Sequence, residues 1–225
     1  MKRFLLMVLA LVICVTAAEA RRKKDVAGAI KDGVYQDNRF GFKMTVRGNW
    51  QPRVKKDEEN HRLILTQKNA EAPPHFQSAP DYTYIPRLVI WADTSSLSPA
   101  AMLDSLQSPS FKSKQKKDIM SEFEFLQQSE IIPKDRKLPM IAGKSGLVWE
   151  GETKYRKEVQ ASQASSAGVL VYGGYSGYIV GVRSDKGVLV MMQLMCERDF
   201  HERIYAEAVE MINTLEWVEA PPDGE

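Results

Sequence analysis

The chain has 225 residues, 27% of them charged and 44% hydrophobic, and its 31 basic and 29 acidic side chains leave a formal net charge of +2. That near balance lacks the basic excess of a nucleic-acid-binding surface, so no nucleic-acid partner is expected. No repeat of useful period and no compositional break divide the body, which predicts a single α+β domain.

Met1, Lys2 and Arg3 form a positive start, residues 4–18 are apolar, and Ala18-Glu19-Ala20 matches a small-residue cleavage site. Residues 1–20 are therefore predicted to be a secretory signal peptide, too short to span a bilayer comfortably. Its removal takes Cys14 with it and leaves Cys196 as the one cysteine, which excludes an intramolecular disulfide or a cysteine-based metal site. Retention of the apolar run, or lipidation at Cys14, is the alternative and implies membrane association.

Residues 21–32 start basic and lack an apolar period, and are predicted to be a flexible lead-in to a domain covering residues 33–217. Phe42, Met44 and Val46 alternate with Lys43, Thr45 and Arg47, the pattern of a half-buried strand. A charged turn at 55–60 leads into a second strand at 61–67, predicted as a hairpin. Residues 69–86 carry four prolines together with Phe76, Tyr82 and Tyr84. A loop of this length is often functional, although its rings also suit simple pinning to the core.

Residues 87–92 (RLVIWA) predict a central strand. Ser98-Pro99 is a helix start, a capping hydroxyl followed by proline at the first helical position. A second amphipathic helix is expected over 116–128, with Ile119, Met120, Phe123 and Leu126 inward. Lys112, Lys114, Lys116 and Lys117 open it and suit a solvated face better than an anionic partner. Residues 133–136 predict a turn, 138–142 and 147–155 strands, 160–168 a polar loop, and 169–172 and 178–182 further strands. Asp185-Lys186-Gly187 signals a tight hairpin. Beyond it, residues 188–196 (VLVMMQLMC) predict a strand buried on both faces, interrupted only by Gln193. Asp199 and Glu202 form a capping box for a closing helix whose Phe200, Ile204, Ala208, Met211, Ile212 and Leu215 make one apolar stripe. That stripe is expected to cover the adjacent strand. Residues 218–225 are predicted to be a disordered tail.

Tyr35-Gln36-Asp37, Phe40-Gly41-Phe42, Met44, Val46, Trp50, the Gly143 region and the final hairpin, strand and helix together resemble one superfamily. It holds the PsbP-like extrinsic subunit of photosystem II, DcrB-type lipoproteins and the Ran-release factors. Where those families usually carry Pro-x-Gly-Trp, this chain reads Val46-Arg47-Gly48-Asn49-Trp50, without the proline. The resemblance implies an antiparallel β-sheet flanked by helices, an α/β/α sandwich. It brings no catalytic residues, because the family is known for binding and assembly.

The residues themselves offer little chemistry. His61, His75 and His201 have no second ligand at metal spacing, so no metal is expected, and no cofactor motif occurs. His201 is expected to face solvent. Gly173-Gly174-Tyr175-Ser176-Gly177 matches no phosphate-binding or nucleophile-elbow pattern and predicts a glycine-loosened turn. Glu150 and Glu152 share a strand face, but Lys154 on the same face predicts an exposed charge ladder rather than an acid–base pair. Cys196 predicts a small buried hydrophobe. Tyr82, Tyr84, Tyr172, Tyr175 and Tyr178 remain as candidate binding residues, a stacking platform whose simpler reading is core packing. The expectation is an exported non-catalytic module, periplasmic or envelope-bound if bacterial, that binds a protein or envelope component. The alternative is an envelope hydrolase with its site on scattered loops.

Overall fold

Alternating apolar residues do most of the architectural work, because each strand sends successive side chains to opposite faces. The computed structural model describes residues 26–67, 86–162, 165–198 and 201–218, without the side chains of 155–172. Its main sheet contains β4 (Trp50–Val54), β5 (His61–Gln67), β6 (Arg87–Thr94), β7 (Ile132–Lys137), β9 (Lys144–Glu152), β12 (Tyr175–Arg183) and β13 (Val188–Glu197). Their order is β4-β5-β6-β13-β12-β9-β7, antiparallel throughout, with the short β8 (Met140–Ile141) paired to β9. A smaller sheet runs β1 (Gly28–Lys31), β2 (Val34–Asp37), β3 (Phe42–Thr45) and β14 (Glu216–Trp217). The fold is α+β.

Strand β13 lies at the centre and shows how the layers are set. Val190, Met192, Leu194 and Cys196 face one apolar cluster, while Leu189, Met191 and Met195 face another. The first cluster is closed by the small sheet and by α3 (His201–Ile212), through Ile204, Ala208, Met211 and Ile212. The stripe read from the sequence therefore covers its neighbouring strand and also β3. The second cluster is closed by α1 (Pro99–Gln107), α2 (Lys114–Met120) and a 3-10 turn at Glu124–Gln127. Gln193, the polar break in the run, accepts the N–H of Leu126 at 3.4 Å and so ties that turn to the sheet. Helix α1 starts as expected, with the Ser98 hydroxyl accepting from Ala101 N–H at 3.2 Å.

Several expectations are corrected. The lead-in over 21–32 already forms strand β1 from Gly28, turning into β2 through Asp32 and Gly33, both at positive φ. The strand at 42–45 pairs with β2 and β14, and the hairpin partner of β5 is β4. The helix expected over 116–128 stops at Met120 and resumes as the 3-10 turn, which places Phe123 and Phe125 both in the core. Residues 133–136 are strand, not turn. Pro133 is tolerated because β7 is an edge strand. Residues 160–168 fall largely in β10 (Tyr155–Ser162) and β11 (Ser165–Gly173), which pair with each other. The aromatic loop with Phe76, Tyr82 and Tyr84, the leader, the cap at Asp199, and Phe200 lie outside the described residues. No described helix is long and apolar enough to cross a membrane.

Candidate functional site

Tyr175 and Tyr178 are three residues apart on β12, and an odd spacing sends two strand side chains to opposite faces. Tyr175 packs beside the cluster under α1 and α2. Tyr178 enters the other cluster and is only 5% exposed. The tyrosine platform is therefore split, and Tyr178 is a core side chain rather than a stacking surface. The side chain of Tyr172 is outside the description, as are Tyr82 and Tyr84.

Around Tyr178 the fold gathers groups that are distant in sequence. Its ring meets Tyr205 of α3 edge-on, with centroids 4.8 Å apart. Tyr205 donates its hydroxyl to Glu150 Oε1 at 3.1 Å. Glu150 stands directly opposite Tyr178 in the β9–β12 register. His201 lies one turn before Tyr205, with ring centroids 4.9 Å apart, and its Nδ1 is 4.0 Å from Cys196 Sγ. His201 is thus half-buried against Tyr205, not facing solvent. Burial, then Tyr205, pushes the Tyr178 phenol up, and burial, then the Glu150 charge, does the same for Tyr205. Both phenols stay protonated at neutral pH, and the Tyr205 O–H is a fixed donor to Glu150.

The other reactive candidates are also committed. Glu152 pairs with Lys134 of β7 at 3.0 Å, not with Lys154, so the expected charge ladder is replaced by a cross-strand pair. Glu150 and Glu152 are both half-buried. Burial, with the Glu197 charge, pushes the Cys196 thiol up to about 12, where it is neither a nucleophile nor a metal ligand at neutral pH. Among the described residues no group of three or more His, Cys, Asp or Glu is placed to hold a metal ion.

Cys196 yields a direct prediction. Native protein at pH 8 should be carboxamidomethylated at Cys196 far more slowly than protein in urea, as read by peptide mass. Equal rates would show an accessible thiolate. The same shift has a sign for stability. A thiol that holds its proton to higher pH when folded keeps more protons than the unfolded chain, so folding weakens as pH rises from about 9 towards 12.

A second polar focus was not read from the sequence. Glu207 Oε2 on α3 accepts from Asn49 Nδ2 at 2.8 Å, Trp50 Nε1 at 3.0 Å and Gln67 Nε2 at 3.0 Å. Glu207 sits off the apolar stripe of α3. Only the tertiary approach of β4 and β5 supplies its donors. It fastens α3 to the main sheet.

No protein-family model matches the chain, and a search of curated proteins found no relative. Solved structures do match. LpqN of Mycobacterium tuberculosis, described as involved in cell envelope biogenesis, is 12% identical over 79% of this chain and 83% of its own, with a TM-score of 0.43. Cyanobacterial PsbP of Synechocystis is 11% identical over 84% and 96%, with a TM-score of 0.41. The Ran-binding protein Mog1p of Saccharomyces cerevisiae is 8% identical over 85% and 97%, with a TM-score of 0.44. They include the PsbP and Mog1 folds that the residues resemble. What each of them binds is said of that protein alone.

Proposed function

We propose that this chain is an exported, non-catalytic module that binds a protein or a cell-envelope component. The observation that carries this reading is the state of its reactive side chains. Glu150, Glu152 and Cys196 are each held by a structural partner or by burial, so they supply rigidity where an enzyme would need free groups. Export rests on the charge and apolar pattern of residues 1–20.

Contact is expected on the outside of the sandwich. Leu138 and Met140, beside edge strand β7, are 66% and 71% exposed. They are large apolar side chains left in water, a feature that marks interaction surfaces when it is contiguous. Tyr82, Tyr84, Tyr172 and Tyr175 are the proposed aromatic contacts. A photoreactive residue placed singly at Met140, Tyr84 and Tyr175 in living cells should give one reproducible adduct from at least one position. The same residue at exposed Lys31 should give none. No adduct from any position across several growth conditions would overturn the binding reading.

A further inference from the structure

The small sheet meets the β12–β13 hairpin along a groove of about 370 Å3. Two local devices shape it. Gly41 takes a positive φ after β2, and its carbonyl accepts Val218 N–H at 3.0 Å, which brings Val218 back beside Phe40. Opposite, Gly187 at positive φ closes the hairpin, with Ser184 N–H bonded to Val188 O at 2.8 Å. Phe40, Val188, Trp217 and Val218 give the groove an apolar floor, and Arg39, Lys144 and Lys186 rim it.

Two features of this groove bear on what it could hold. The first is Trp217 Nε1, enclosed and without an acceptor among the described residues. An indole nitrogen is a donor only, and native structures rarely leave one unpaired. The second is charge. Lys144 pairs with Asp185, but among the described residues neither Arg39 nor Lys186 has a carboxylate partner, although Arg39 lies over the Phe40 ring at 4.9 Å. An apolar floor rimmed by two cations without a carboxylate partner among the described residues suits one kind of occupant.

We propose that this groove binds a single-chain anionic amphiphile, an apolar chain ending in a carboxylate. The chain lies on Phe40, Val188 and Trp217, and the anionic end meets Arg39 and Lys186. The volume suits a small ligand, since such pockets start near about 300 Å3. The site is separate from the partner-binding reading, whose crosslinked adduct does not depend on it, so the two fail independently.

The test is a titration of the full chain, 15N-labelled, with decanoate below its micellar concentration. The four tryptophans give four indole resonances, and Trp217→Phe identifies the one of interest. The expected result is a saturable shift of the Trp217 resonance, with the other three indoles as the control for an intact fold. The double variant Arg39→Glu, Lys186→Glu should weaken decanoate by about tenfold or more. Decyl glucoside and inorganic phosphate, which carry the tail or the anion alone, should move the resonance little. An unmoved indole, an equal response to decyl glucoside or to phosphate, or full affinity in the double variant would overturn the proposal.

Discussion

Replacing Arg62 by alanine should lower the unfolding free energy by about 3–5 kcal/mol, the cost of leaving a buried charge without its partner. Arg62 and Asp37 are fully buried as side chains, with Arg62 Nε 2.7 Å from Asp37 Oδ2. All five guanidinium N–H donors are used. Nε and Nη2 bond Asp37, Nη2 also reaches Asp57 Oδ1 and Ala27 O, and Nη1 bonds the carbonyls of Asp57 and Glu59. Asp37 accepts in turn from the Tyr35 hydroxyl at 2.8 Å and from the N–H groups of Arg39 and Phe40. Burial, then the Asp37 charge, pushes the Tyr35 phenol far up, so it remains a donor at any accessible pH. This network joins β2 of the small sheet, and Ala27 just ahead of β1, to β5 of the main one.

The measurement is urea unfolding of Arg62→Ala, Asp37→Ala and the double variant. Because each single change strands the other charge, the double variant should cost clearly less than the sum. Strict additivity would show that the two groups do not act as a pair. A native domain holds only about 5–15 kcal/mol in all, so a loss of this size leaves Arg62→Ala near the limit of folding. Asp37→Asn then serves, since it keeps the shape, removes the charge and leaves Arg62 with Asp57. Arg62→Lys should also be costly, because an ammonium cannot occupy five separated donor positions.

The sequence shows the parts of this fold that are periodic over a few residues. The alternation of Phe42, Met44 and Val46, the Ser98-Pro99 start and the stripe from Ile204 to Leu215 are local patterns, and each appears where the pattern puts it. Elements without such a pattern were misread. Strand β7 reads IPKDRK, where charge and proline look like a turn, yet pairing to β9 holds it extended. Trp217, which no local pattern assigns to a strand, pairs with Phe42 in β14. The site was less legible still. Asp37 and Arg62, or Glu150 and Tyr205, are joined only by tertiary folding, and no spacing rule connects them. The split of Tyr175 from Tyr178 follows from the strand period, but their closeness in sequence suggested one surface.

Gly174 and Gly177 have a packing explanation, and it yields the second large effect. Gly177 and Gly151 are paired across β12 and β9, and together they leave a shallow bed without side chains. Phe125 fills it. A Cβ at residue 177 would stand 2.1–2.3 Å from three carbons of the Phe125 ring. The ring is fully buried and lies 6.0 Å from Trp149, whose own indole covers Gly151, so neither can swing aside cheaply. Gly177→Ala should therefore destabilise by about 1–3 kcal/mol through overpacking, and Gly177→Val by more. Gly174 is constrained by backbone instead, with a Cβ there 2.2 Å from the Thr153 carbonyl oxygen. Gly48 is the control, since nothing lies within 4 Å of the equivalent position and alanine there should be nearly neutral. Shrinking the ring with Phe125→Leu should be costly alone but should recover part of the Gly177→Ala loss when the two are combined. If Gly177→Ala falls within about 0.5 kcal/mol of the parent, as surface changes do, the bed is looser than the geometry requires and the glycines need another cause.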